Sequence, residues 1–144
     1  MPTSRDPMSI VQDNIDRTGQ HLFAIFGSDD EPAFVYTVGN AVRGLPELLL
    51  IGNFRATVAG GILNDLGTIM RKQERALSGD IGLGGRYPVR IRRASEGAKF
   101  KWTIQAGQYL GHDHYDVLQV LLCDYDGHYP GERGCNPDFG VPLA

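Results

Sequence analysis

Three of the chain's four histidines fall in one stretch, HDHYDVLQVLLCDYDGH from His112 to His128, together with Asp113, Asp116, Asp124 and Asp126. Imidazole and carboxylate are the usual ligands of borderline divalent metals, and His-x-His in extended backbone turns both rings to one side. A metal bound here would draw on His112, His114 and Asp116, with Asp113 beside them, because these need no long-range convergence. Strand length opposes a site that uses the whole stretch: His114 and Asp124 stand ten residues apart, about 33 Å at ~3.3 Å per residue. Polar side chains also belong at both ends of a buried strand, where the chain re-enters water. No metal and no cofactor is therefore expected.

A second group lies in FVYTVGN, residues 34–40, followed by PEL at 46–48. Tyr36 and Thr37 occupy opposite faces of a strand, and a strand ending in Gly39-Asn40 presents hydroxyls and backbone donors at the rim of a sheet. Tyr36, Thr37, Asn40 and Glu47 are accordingly candidate ligand-binding residues. Strands at 33–38 and 47–51 are joined by only eight residues, which places Glu47 on the same rim. Ordinary packing accounts for the same side chains, with Tyr36 in the core and Glu47 as a strand-end charge. Arg90 and Arg92, alternating with Val89 and Ile91, form a third candidate set on the wet face of a half-buried strand, with Arg93 adjoining.

Several common chemistries are excluded. There is no phosphate-loop, nucleophile-elbow or HExxH pattern. A calcium loop around Asp124 and Asp126 would put Arg133 at its final ligand position, which cannot bind the ion. GLGGR at 82–86 is glycine-rich, but a proline-containing strand follows it where a phosphate cradle needs a helix N-terminus. Cys123 and Cys135 lack CxxC spacing, so neither a zinc nor a thioredoxin-type site is indicated, and reduced thiols are expected.

The elements that must position these residues are legible as patterns. Asp6-Pro7 opens a helix at about 7–18, with Met8, Val11 and Ile15 on one face and Gly19 as its stop. HLFAIF (21–26) and AFVYTVG (33–39) read as an antiparallel hairpin across GSDDEP. Glu47–Ile51 reads as a buried strand, and the strongest helix follows at about 54–73, capped by Asn53. Its apolar stripe is Val58, Ile62, Leu66, Ile69 and Met70, and Gly60, Gly61 and Gly67 indicate close approach to a sheet. ALSGDIGLGGRYP at 76–88 reads as a mobile loop, PVRIRRA as a half-buried strand, and KFKWTIQAGQYLG as a short helix with Trp102, Ala106 and Tyr109 inward. YDVLQVLLC reads as a central strand ended by the Asp126-Gly127 turn, and residues 132–144 as an irregular tail. The order is not a strict βαβα alternation, so the fold class is α+β, a mainly antiparallel or mixed sheet packed against one long amphipathic helix.

A chain of 144 residues with 42% hydrophobic content forms a single domain, 1–144, with a core of its own. A net charge of −3 argues against nucleic acid as a partner, since that interaction needs concentrated Lys and Arg. No apolar run approaches the ~20 residues of a membrane span, and the N-terminal residues lack a secretory signal's apolar core. The expected setting is therefore cytoplasmic, without a membrane partner.

F-V-Y-T-V-G at 34–39, L-P-E-L at 45–48, G-G-I-L-N-D-L at 60–66 and L-Q-V-L-L-C-D-Y-D-G-H-Y-P at 118–130 together resemble, in that order, a bacterial family catalogued as domain of unknown function 4262. The resemblance spans about residues 20–131. It implies a small stand-alone bacterial cytoplasmic domain and brings with it no substrate and no catalytic residues. Two functional readings follow from the residues themselves. One is a non-catalytic module that binds a small molecule or a protein. The other is a small hydrolase or metal-dependent enzyme built on the 112–128 cluster, which predicts that several of Tyr36, Glu47, His112, His114 and Asp124 converge on one pocket. Oligomeric state is not specified by the sequence.

Overall fold

Every residue of the two central strands is buried, so neither has a wet face, and the architecture follows from that. A computed structural model describes the backbone from residue 7 onward and side chains from residue 9. The elements are α1 (Pro7–Thr18), β1 (His21–Ile25), β2 (Phe34–Val38), a 3-10 turn (Asn40–Arg43), β3 (Glu47–Ile51), α2 (Ala56–Gln73), β4 (Gly79–Ile81), β5 (Val89–Arg93), α3 (Ala98–Lys101), α4 (Ile104–Leu110), β6 (Val117–Leu121) and a second 3-10 turn (Pro137–Phe139). The strands form one six-stranded mixed sheet in the order β1-β2-β3-β6-β5-β4. β3 and β6 pair in parallel at its centre, with Glu47 opposite Val117 and Leu49 opposite Gln119.

Helices cover both faces of the sheet, which is why β3 and β6 read as near-continuous apolar runs. On one face Leu48 and Leu50 pack with Leu63, Leu66 and Met70 of α2 and with Val120 of β6. On the other, Leu49 and Ile51 pack with Tyr36, with Val11 of α1, and with Trp102 and Ala106 of the α3–α4 segment. The α+β class and the hairpin of β1 with β2 are as the sequence indicates. Helix α1 stops where expected: Gly19 adopts φ 100° and its N–H donates to Ile15 O at 2.8 Å. Asp6 and the side chain of Met8 lie outside the described residues.

Four local readings are corrected. Asn53 does not cap α2; its Oδ1 accepts from Ala33 N at 2.9 Å to close the preceding loop, and the helix starts at Ala56 with Arg55 at the cap position. The buried stripe of α2 is Ala59, Gly60, Leu63, Leu66, Gly67 and Met70, so Val58 is half exposed and Ile62 and Ile69 lie at the margin. Small residues form this contact because they let the backbone press inward; a Cβ at Gly60 would stand 3.2 Å from Leu22 Cδ1. The glycine-rich 76–88 segment contains edge strand β4, pinned by Ile81 opposite Val89 and by Asp80 against Arg90. The tail is not wholly irregular: Asn136 Oδ1 accepts from Asp138 N and starts the second 3-10 turn. Its last residues are anchored by buried Gln119, whose Nε2 donates to Pro142 O at 2.7 Å while its Oε1 accepts from Ala144 N at 2.8 Å.

Burial orders the expected mutational costs. Leu66→Ala and Leu63→Ala, both at fully buried positions, each cost about 2–5 kcal/mol in denaturant melts. Val58→Ala, at a site 50% exposed, costs less than about 0.5 kcal/mol. A reversed order would show that α2 turns its other face to the sheet.

Candidate functional site

Glu47 opens β3 and is 0% exposed. Its Oε1 accepts from Thr37 Oγ1 at 2.8 Å and Asn40 N at 3.3 Å, and its Oε2 accepts from Gly39 N at 3.0 Å and Ala41 N at 2.9 Å. Three consecutive backbone N–H groups converge here because Gly39, at φ 125°, turns the end of β2 sharply into the 3-10 turn. A side chain at that φ would be strained, and its Cβ would meet Gly19 O at 2.9 Å. Burial pushes the Glu47 carboxyl up to about 7, and the donors from Ala41, Thr37, Gly39 and Asn40 hold it from rising further.

The carboxylate heads a chain of buried polar groups. Thr37 Oγ1 accepts from Leu48 N at 2.9 Å and from Asn40 Nδ2 at 3.3 Å. Asn40 Nδ2 also donates to Gln20 Oε1 at 3.0 Å, and Gln20 Nε2 donates to Leu63 O at 3.2 Å and Asn64 Oδ1 at 3.0 Å. Arg71 Nη1 then bridges the two amide oxygens, Gln20 Oε1 and Asn40 Oδ1, at 2.7 Å each. Two glycines make room for this bridge. A Cβ at Gly67 would lie 2.2 Å from Gln20 Oε1, and one at Gly19 would lie 2.5 Å from Arg71 Nε. Burial lowers the Arg71 pKa, nearby Arg43 lowers it further, and Glu47 opposes both.

Outside this network a cleft of about 470 Å³ opens between α1, the start of β1 and α2, lined by Asn14, Arg17, Thr18, Gln20, His21, Leu22, Asn64, Thr68 and Arg71. Its rim is itself ordered. Arg17 Nη2 donates to Asn14 Oδ1 at 2.6 Å, so the Asn14 amide turns its Nδ2 toward His21 Nδ1 at 2.8 Å. Burial lowers the His21 pKa, and the Asn14 amide, its oxygen taken by Arg17, has its Nδ2 to offer to His21 Nδ1.

Thr37, Asn40 and Glu47 are thus brought together on one rim, as their spacing indicates. Tyr36 lies on the other face of the sheet, its hydroxyl bonded to the Gln105 side chain and accepting from Gln105 N at 3.2 Å. Burial raises its phenol well above the usual range. Arg90 stacks on the Tyr129 ring at 3.8 Å and pairs with Asp80 at 2.8 Å, while Arg92 Nη1 donates to Gln119 Oε1 at 3.0 Å and Ala144 O at 2.5 Å. His112 and His114 are exposed, with ring centroids 5.7 Å apart, and Asp116 pairs with Arg93 at 3.1 Å.

Asp124 stands past the opposite end of β6, where its side chain accepts from Asp126 N, His128 N and Asn136 N. Burial would raise its pKa, but these backbone donors outweigh burial and hold it below the usual range. Ligand atoms of Asp124, Asp126 and His128 lie within 4.8 Å of one another. The 112–128 polar residues therefore divide between the two ends of β6, and the enzyme set of Tyr36, Glu47, His112, His114 and Asp124 is dispersed. Sequence reasoning missed Gln20, Arg71 and the α1 rim. Gly67 was the available signal, since the close approach it permits is to Gln20 and Arg71.

A mixed sheet clasped by helices, with a buried carboxyl network opening on a polar cleft, makes this an α+β domain of definite pattern. The chain belongs to the family described as Domain of unknown function (DUF4262), whose sequence model matches residues 14–136. No curated protein and no solved structure matches it. Among the described residues, no helix is long and apolar enough to cross a membrane.

The network carries two expectations. Glu47 binds its proton more tightly folded, at about 7, than unfolded, at the ordinary 4.5 of a free glutamate. Its contribution to stability is therefore largest below about 4.5, declines as pH rises through the interval, and levels off above about 8, a loss of about 3 kcal/mol. Urea melts across this range should show that decline, and Glu47→Gln should abolish it while costing about 1–3 kcal/mol at low pH, because an amide NH₂ then faces backbone donors. An unchanged pH slope in the variant would refute the assignment. Gly67→Ala should destabilise by about 1–3 kcal/mol through overpacking, although helix propensity alone would favour alanine by ~1 kcal/mol; a thermal melt gives the sign.

Proposed function

We propose that the chain is a non-catalytic module that binds a small polar molecule in the cleft between α1 and α2, within a bacterial cytoplasm. The observation that carries this reading is the fixation of the cleft's polar walls. Arg71 and Gln20 are tied into the buried network, and Asn14, Arg17 and His21 are tied to one another. Walls fixed before binding lower the ordering cost that a ligand must overcome. The side chain best suited by its raised pKa to acid–base work, Glu47, is sealed from solvent and cannot touch a substrate. The hydrolase or metal-enzyme alternative is less well supported, since His112 and His114 lie at the opposite end of β6 from Asp124, and only Asp124, Asp126 and His128 come together there.

A titration of ¹⁵N-labelled protein with a library of small polar fragments tests the proposal. The expected result is saturable amide shifts confined to residues 14–22 and 64–71, with the fragments unchanged. Binding that maps instead to residues 112–128, or fragments that are cleaved, would overturn it in favour of the enzyme.

A further inference from the structure

We propose that the α1–α2 cleft is an anion site, in which Arg71 and Arg17 recognise a carboxylate or phosphate group on the small ligand. The inference rests on the binding-module reading and adds the chemical class of what is bound. Its starting point is an imbalance of charge. Arg71 is partly buried, yet both of its bonded partners are neutral amide oxygens. The nearest buried carboxylate, Glu47, makes all four of its hydrogen bonds elsewhere; it attracts Arg71 through space but forms no bond to it. Among the described residues, no acid forms an ion pair with Arg71, and none lines the cleft. A second depression on the far side of Arg71 holds Glu74, but Arg43 stands beside it.

Desolvating a guanidinium without an opposite charge is costly, and two glycines are placed so that this one fits. The unmet charge and the room made for it both point to a partner that arrives from outside. Geometry selects that partner. Nη1 is occupied by the two amides, and among the described residues neither Nε nor Nη2 has a protein acceptor, Nε lying close against Gly19. The guanidinium thus keeps donors to spare for the oxygens of a carboxylate or phosphate. Arg17, held at the rim by Asn14, adds a second positive charge within the same cleft. Thr68 and Asn64 supply uncharged donors on the α2 wall.

Sodium phosphate, sodium succinate and succinamide, titrated at constant ionic strength into ¹⁵N-labelled protein, test the inference. The readouts are the Arg71 Nε–H resonance and the amides of residues 17–21 and 64–71. Saturable shifts with phosphate or with succinate, absent with succinamide, are expected, and the stronger of the two anions identifies the headgroup. Arg71→Lys, which keeps the charge and loses the guanidinium's spare donors, should weaken binding about tenfold. Arg17→Gln, on an exposed helix position that folding tolerates, should weaken it about threefold. Succinamide shifting the cleft as strongly as succinate would overturn the anion class while leaving the cleft as the binding site. Anion-induced shifts located elsewhere, or binding indifferent to both variants, would also overturn the inference. The neutral-fragment titration then decides separately whether the cleft is the binding site at all.

Discussion

The carboxylate of Glu47 has no contact with water, and its oxygens are met by four donors from the end of β2 and the turn that follows it. A charge in such a place is tolerated only if its donors are held in position. Here they are held by the backbone itself: the turn at Gly39 lines up three N–H groups, and Thr37 completes the set. The turn and the charge define each other. Without the carboxylate the N–H groups at 39–41 would be buried and unpaired; without the turn the carboxylate would be. The first residue of β3 thereby locks the geometry of the β2–β3 connection, and through Asn40 and Gln20 it locks the start of β1 and the inner face of α2.

Such an arrangement separates two tasks that one charged residue cannot perform together. Glu47 organises, and it is sealed. Arg71 faces outward, and it is exposed enough to line a cleft. Asn40 and Gln20 stand between them as neutral amides, each able to accept from one neighbour and donate to another. The opposite face of the sheet handles its polar groups differently. Tyr36, Tyr115 and Thr103 satisfy one another or nearby polar groups within an otherwise apolar layer, and Gln119 spends its amide on the chain's last residues.

The parts of this design that the sequence displays are those enforced by hydrophobicity or short range. β3 and β6 are legible because burial on both faces demands runs that are apolar apart from Glu47 and Gln119. Glu47 falls beside Thr37 and Asn40 because a short connection leaves no alternative. The existence of α2 is legible, but its orientation is not, because Ala59, Gly60 and Gly67 make the closest contacts while contributing almost nothing to a hydrophobic pattern. β4 escapes because a three-residue edge strand containing glycine and aspartate has the composition of a loop. Arg71 and Gln20 escape for a different reason. They are 51 positions apart in sequence, and an amide or guanidinium that serves a buried network looks, by type, like any surface residue. The dispersed His and Asp residues show the converse: clustering in sequence across a strand becomes separation in space.

The placement of β6 also bears on how the chain reaches this state. It is the last strand in sequence but sits third in from the β4 edge, between β3 and β5. While the ribosome is still making residues 52–116, β3 has its hydrogen-bonding edge open, and that edge belongs to a strand of four consecutive Leu and Ile residues. At a synthesis rate of about 5–20 residues per second, this sticky edge stays exposed for several seconds before its partner emerges. Such an edge is a template for pairing with another nascent chain. A slower translation of the 52–116 segment lengthens that exposure without altering the finished protein.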